Sequence, residues 1–154
     1  RQGNVLADKV KEVLKNGKAE TRSFVPDAYI EITDLSKPVE EGTAHFFLEC
    51  DRTTMTSARY QKKMRNYWIY WDKGEGGFSE KYGIPNFRVL TVTRSVKRTQ
   101  TLIKATQKAD DKQTGSRLFM FTEESKYSLS EPEKLLGEIW KTAKTPDKVE
   151  GILS

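Results

Sequence analysis

The stretch Phe46-Phe47-Leu48-Glu49-Cys50-Asp51-Arg52-Thr53-Thr54-Met55 constrains the fold more than any other. A short apolar run is a strand signal, and this one runs straight into two acids spaced two apart. Strand side chains alternate between faces, so Glu49 and Asp51 share one. Uncompensated charge on a half-buried strand is costly to desolvate. The pair therefore requires a metal ion, a lysine or arginine, or open solvent. A centre for a divalent cation and a strand end whose acids face water both meet that requirement, and the local sequence leaves the two open.

The periodicities on either side sketch a domain around it. Residues 5–15 predict an amphipathic helix with Leu6, Val10, Val13 and Leu14 on one side, stopped by Asn16-Gly17. Asp8 and Glu12 then fall on solvated surface. After a polar link at 18–23, Ala28, Ile30 and Ile32 alternate with Asp27, Tyr29 and Glu31, the period of a strand with one buried face. Pro26 cannot donate to a ladder, so it marks that strand's beginning or edge. Turn formers at 33–42 lead into a strand over 43–51. Thr53, Thr54 or Thr56 can cap a helix over 56–71, whose apolar side is Tyr60, Met64, Tyr67, Trp68 and Trp71. The glycines and Pro85 make 72–86 a loop. The β-branched run 87–93 suits a central strand covered on both faces. Ser95 caps a helix over 96–108, 110–116 turn, and 118–122 is a short apolar strand. A helical turn or two at 132–136 and a last strand at 138–142 follow. This order predicts an α/β domain over residues 1–143, with a mixed central sheet flanked by helices. Residues 144–154 read as a polar, loosely attached tail.

Composition narrows the functional classes. At 154 residues the chain supports one domain with its own core. It has no apolar run long enough for a membrane span and no leader-like segment. One cysteine excludes an internal disulfide framework and a multi-cysteine zinc site, as expected of a reducing cytoplasm. Lys and Arg number 27 against 22 Asp and Glu, with a pI near 9.2, a modest tilt toward a polyanionic partner. The start at Arg1 rather than Met suggests a piece of a longer protein, with an upstream domain outside it.

If the two strands before the aromatic helix are neighbours, Asp27, Glu49 and Asp51 converge at one sheet edge. Mg²⁺ is commonly held by one or two carboxylates and keeps several waters. Such a site activates water and shields the charge developing on a scissile phosphate. Lys63 shares a helical side with Tyr60, Met64 and Tyr67 and so leans toward the core. It reads either as a charge for that phosphate or as a snorkelling lysine whose stem covers Tyr67. Arg52, Arg59, Lys62, Arg94, Lys97 and Arg98, with Lys104 and Lys108, suit phosphate positioning or a plain solvated face. The glycines at 74–77 lack the Lys-Ser/Thr ending of a P-loop, so they form a connector or lid. His45 stands alone and reads as structural. Cys50 points away from the acids and reads as a small buried hydrophobe. No serine or cysteine has a plausible His–Asp arrangement.

Pro26-Asp27, then Phe47 through Met55, then Lys63 with Tyr67 four residues on, then Val89-Leu90-Thr91-Val92-Thr93 with Arg98, together resemble the replication-relaxation family. Its members are bacterial plasmid and mobile-element proteins tied to plasmid replication and DNA relaxation. The same pattern resembles the wider PD-(D/E)xK superfamily, with its restriction-endonuclease-like fold. The resemblance implies that Asp27 and Glu49 hold Mg²⁺ or Mn²⁺, and the shared strand face adds Asp51 as a further candidate ligand. Asp51 stands where the superfamily usually has its lysine, and Lys63 would supply that charge from the following helix. It further implies DNA as partner, replication or transfer proteins as companions, and an upstream winged-helix part. The expected function is metal-dependent nicking of DNA, and the alternative is an inactive nuclease-like module that binds DNA or docks a protein. A third reading, outside nucleic acids, is a protein-interaction domain using the aromatics at 67–71.

Overall fold

The computed structural model describes residues 7–73 and 77–154. The expected contribution of Leu6 and the Gly74–Gly76 part of the expected loop lie outside them.

The first element is not a helix. β1 (Asp8–Val13) and β2 (Ala19–Phe24) form an antiparallel ribbon, a two-stranded sheet of its own. Gly17, at φ 79°, adopts the left-handed conformation of the connecting turn at no side-chain cost. The sequence hides the period of two because the inward positions of β1 alternate acid, valine, acid. Val10 is 2% exposed, and Asp8 and Glu12 point the same way, onto cationic partners. They are not the solvated surface that a helix would make of them.

The main sheet has six strands in chain order: β3 (Ala28–Thr33), β4 (Thr43–Cys50), β5 (Arg88–Thr93), β6 (Phe119–Glu123), β7 (Trp140–Thr142) and β8 (Val149–Glu150). β3 pairs with β4 antiparallel, β4, β5 and β6 run parallel, and β7 and β8 return antiparallel. The domain is therefore α/β with a mixed sheet, as the element order predicts. The short α1 (Val39–Gly42) sits in the β3–β4 connection. α2 (Ser57–Asp72) and α4 (Val96–Thr106) make the two parallel crossovers. Thr56 and Ser95 cap them by accepting from the backbone N–H of Arg59 and Arg98, at 3.3 and 3.2 Å.

Both crossover helices lie on one face, where Tyr67 of α2 and Leu102 of α4 pack with Phe47, Val89, Phe119 and Phe121 of the strands. Phe47, wholly buried, is the hub: its ring centroid lies 4.9 Å from Phe87 and 5.5 Å from Tyr67. Phe78 packs edge-on against Phe87 at 4.7 Å, and this contact turns part of the expected 72–86 loop into α3 (Phe78–Tyr82). The other face carries Phe46, Leu90 and Met120, with Trp140 of β7 among them, and among the described residues no α-helix packs on it. Leu135, partly buried, and Ile152, 3% exposed, join this cluster. Residues 144–154 are thus no loose tail. They supply β8 and a core side chain, and Arg88 donates to the carbonyls of Ile152 (3.1 Å) and Ser154 (2.8 Å).

Candidate functional site

The carboxyl ends of parallel strands are where open α/β sheets present ligand sites. Register assembles one there. Ala28 is opposite Leu48, so Asp27, one residue before β3, stands across from Glu49. The Asp27 backbone N–H donates to the Leu48 carbonyl at 3.1 Å, and its Oδ2 accepts from the Cys50 N–H at 2.7 Å. These two bonds fix Asp27 beside the end of β4 while it stays exposed. Glu49 lies on the helix-facing side of β4 and is only 5% exposed. Lys63 and Tyr67, four apart on α2, both reach it: the Lys63 ammonium donates to Oε2 and the Tyr67 hydroxyl to Oε1. Tyr60, one turn earlier, is buried and shares a 2.6 Å hydrogen bond with Thr91 of β5. A cavity of about 420 Å³ opens among these groups, lined by Asp27, Glu49, Asp51, Arg52, Tyr60 and Lys63.

Asp51 belongs to this cavity's wall but is not free within it. Its backbone N–H donates to Val92, continuing the β4–β5 ladder, so its side chain meets the first turn of α4. Arg98 grips it through Nε to Oδ2 (2.7 Å) and Nη2 to Oδ1 (2.8 Å), and also donates to the Met55 carbonyl (2.7 Å). Such two-pronged pairs are strong and geometrically demanding. Asp51 is therefore a clamp between the β4–α2 turn and α4, with both of its oxygens engaged by Arg98. The same pairing takes Arg98 out of the expected set of free phosphate contacts. Arg52, Arg59, Lys62, Arg94 and Lys97 remain exposed.

The electrostatics follow from burial. Desolvation pushes the Glu49 carboxyl above its ordinary range, opposed by Lys63 and by the Tyr67 hydrogen bond, and Asp27 adds to the upward push. Burial and the Glu49 charge drive the Tyr67 hydroxyl upward too, so it stays a donor. Burial likewise raises the Cys50 thiol, although Cys50 is exposed and not the buried hydrophobe its strand position suggested. His45 is structural in contact: its Nδ1 lies 2.6 Å from the Tyr29 hydroxyl.

Among the described residues no group of three or more His, Cys, Asp or Glu side chains is placed to hold a metal ion. Of the three carboxylates that line the cavity, Asp51 is held by Arg98, which leaves Asp27 and Glu49 as the two not paired to an arginine. That set fits a hydrated hard cation, which takes one or two protein carboxylates, and does not fit a fully protein-made cage. Lys63 and Tyr67 share a helical side with spacing visible in the sequence, but that Tyr67 holds Glu49 and that Arg98 holds Asp51 required the strand register.

The fold and site together define a mixed α/β domain with an acid–lysine cavity at the carboxyl end of its parallel strands. The family model for replication-relaxation matches residues 8–84, half of the chain, from β1 through α3. The chain belongs to the replication-relaxation family, and the matched span contains Asp27, Glu49, Asp51 and Lys63. No curated protein and no solved structure matches it. Among the described residues no helix is long and apolar enough to cross a membrane.

Proposed function

We propose that this chain is the DNA-acting domain of a plasmid or mobile-element replication or relaxation protein, and that its cavity cleaves a phosphodiester bond with a divalent cation. The reading extends the family membership to a nuclease-like chemistry of the PD-(D/E)xK kind. The observation that carries it is the meeting of Asp27, Glu49 and Lys63 in one cavity, built from two neighbouring strands and the helix behind them. When bound, Mg²⁺ or Mn²⁺ supplies Lewis-acid stabilisation of the charge developing on the phosphoryl oxygens. Asp27 and Glu49 would hold it. Tyr67 fixes Glu49 from behind, so the carboxylate does not rotate as the site fills. Lys63 keeps its ammonium at the cavity wall, where it offsets the phosphate's negative charge, and Arg52 at the rim meets the flanking backbone.

The test is nicking of supercoiled plasmid with Mg²⁺ or Mn²⁺, comparing the chain with Glu49→Gln, Asp27→Asn and Lys63→Met. Nicking by the chain, with a loss of about 100-fold or more in each variant, supports the reading. Plasmid left intact under all metals, or Glu49→Gln cutting at the parental rate, removes it. One observation favours a second reading, binding without chemistry: both Glu49 oxygens already accept a hydrogen bond, and Arg98 occupies Asp51. On that reading DNA binding is salt-sensitive and survives Glu49→Gln, and divalent ions do not raise the melting temperature.

A further inference from the structure

The charges of the β1–β2 ribbon are sorted by face. Residues paired across an antiparallel ladder share a side, and the register puts Asp8, Val10, Glu12, Glu20 and Arg22 on the inner one. Every acid of the ribbon is there, and each has a cation. Asp8 accepts from Lys81 (2.6 Å) and from Tyr70 (2.5 Å). Glu12 accepts from Arg22 and from Arg65 (2.9 Å), and Glu20 from Arg22 (2.9 Å). The outer side is Lys9, Lys11 and Val13 on β1 with Ser23, Thr21 and Ala19 opposite them, all exposed. The turn adds Lys15 and Lys18, also exposed. Among the described residues none of these four lysine ammoniums has an ion-pair partner, and the outer side carries no acid at all.

The ribbon's direction gives that face a use. Its contacts run antiparallel to α2: Asp8 meets Tyr70, Glu12 meets Arg65, and Arg22 Nε donates to Asn66 at 2.7 Å. The turn therefore points toward the amino-terminal half of α2, the half that carries Tyr60 and Lys63 into the cavity. Lys15 from the turn and Lys62 from α2 line one cleft of about 320 Å³, whose acids Glu12 and Asp111 are paired to Arg65 and whose Asp110 accepts from backbone N–H groups. Cations thus lead from the outer ribbon face, through the turn and Lys62, toward the Arg59 and Lys63 end of the helix. A ribbon of six residue pairs is about 20 Å long, and a two-stranded ribbon is narrow enough for a duplex major groove roughly 12 Å wide.

We infer that the outer face of the β1–β2 ribbon is a contact surface for duplex DNA, with Lys9 and Lys11 on phosphates and the lysine-bearing turn leading the duplex toward the cavity. The inference rests on the DNA-acting reading above and adds a surface outside the cavity. It accounts for the face-sorting: inward acids hold the ribbon on α2, and outward lysines meet a polyanion.

The experiment is fluorescence anisotropy of a labelled duplex of about 20 base pairs against the full chain, over a salt series, since each phosphate neutralised contributes about 0.9 to the slope of log affinity on log salt. Lys9→Gln/Lys11→Gln is compared with Lys144→Gln/Lys148→Gln, an equal charge loss at the β7–β8 connection. The expected result is several-fold weaker binding and a slope flatter by roughly 2 for the ribbon variant alone, with an unchanged melting temperature. Parental binding with an unaltered slope in the ribbon variant overturns the ribbon inference and leaves the DNA reading standing. Equal weakening in both variants also overturns it, because the effect is then net charge. A chain that retains no duplex even at low salt overturns both.

Discussion

Glu49 is a nearly buried carboxylate with one cationic and one neutral donor, so its two partners are not equivalent. Lys63→Met leaves the charge with the Tyr67 hydroxyl alone, a loss of roughly 1–3 kcal/mol at neutral pH. Adding Glu49→Gln recovers part of it, because partners in contact are not additive. Because the folded Glu49 pKa is raised, its contribution is fully present below the unfolded value and is lost as pH rises through the folded one. Lys63→Met removes the main opposing influence, so the loss should extend to higher pH, and Glu49→Gln should abolish that slope. Urea midpoints across the acid-to-neutral range read both, and identical pH slopes in the chain and in Glu49→Gln would contradict the assignment. Nearby, Thr53 sits at φ 63°, a left-handed conformation that a β-branched residue adopts at a cost. Thr53→Gly should gain up to about 1 kcal/mol, strain relief outweighing glycine's unfolded-state entropy. A stability loss in the same urea titration would mean that the Thr53 hydroxyl bond to the Arg52 carbonyl outweighs the strain.

Among the elements, the ribbon is the one held mainly by charge. Val10 is a buried apolar anchor, and α2 holds the ribbon through Arg65 on Glu12, the Tyr70 hydroxyl on Asp8 and Asn66 on Arg22, while Lys81 of α3 adds a cation on Asp8. Burial pushes the Asp8 and Glu12 carboxyls up, but Lys81 and Tyr70 on one, and Arg22 and Arg65 on the other, outweigh it and leave both below their ordinary values of 3.8 and 4.5. Depressed carboxyls contribute stability above their unfolded pKa that disappears as pH falls through the folded one. Acidification below about pH 4 should therefore release the ribbon before the six-stranded sheet. Amide exchange that loses protection in β1 and β2 while β4 and β5 keep theirs is the expected pattern. Arg65→Ala, which removes the bonds to Glu12, Asp111 and the Ala109 carbonyl, should produce the same loss at neutral pH.

For the whole molecule, the sheet has one face under helices and the other under the chain's last residues. Ile152 is 3% exposed on that second face, so Ile152→Ala should cost about 2 kcal/mol or more. Deleting 149–154 also strips two carbonyl partners from Arg88, a half-buried cation beneath them. The deletion should lower the melting temperature by at least about 4 °C, given roughly 2–4 °C per kcal/mol in a domain of this size. An unchanged melting curve would mean that the segment only rests on the sheet.

What the sequence determined by itself is what local chemistry encodes. The β-branched run of β5, the Ser95 cap, a threonine cap for α2 at 53, 54 or 56 and the alternation in β3 each follow with no help from distant residues, and the mixed α/β order follows from them. The acid pair at the end of β4 and the Lys63–Tyr67 side of α2 were legible for the same reason, since period alone places them. Only the tertiary structure decided the rest. The ribbon looked helical because inward-facing acids break the polar–apolar alternation, and they face inward only because Arg22, Arg65, Lys81 and Tyr70 arrive there. That Arg98, 47 residues on, pairs with Asp51 was decided by the β4–β5 register and the placing of α4. The polar-looking end of the chain became structural because one isoleucine found an uncovered sheet face. In each case the energy resides in a pairing between segments far apart in the chain, where no local period can record it.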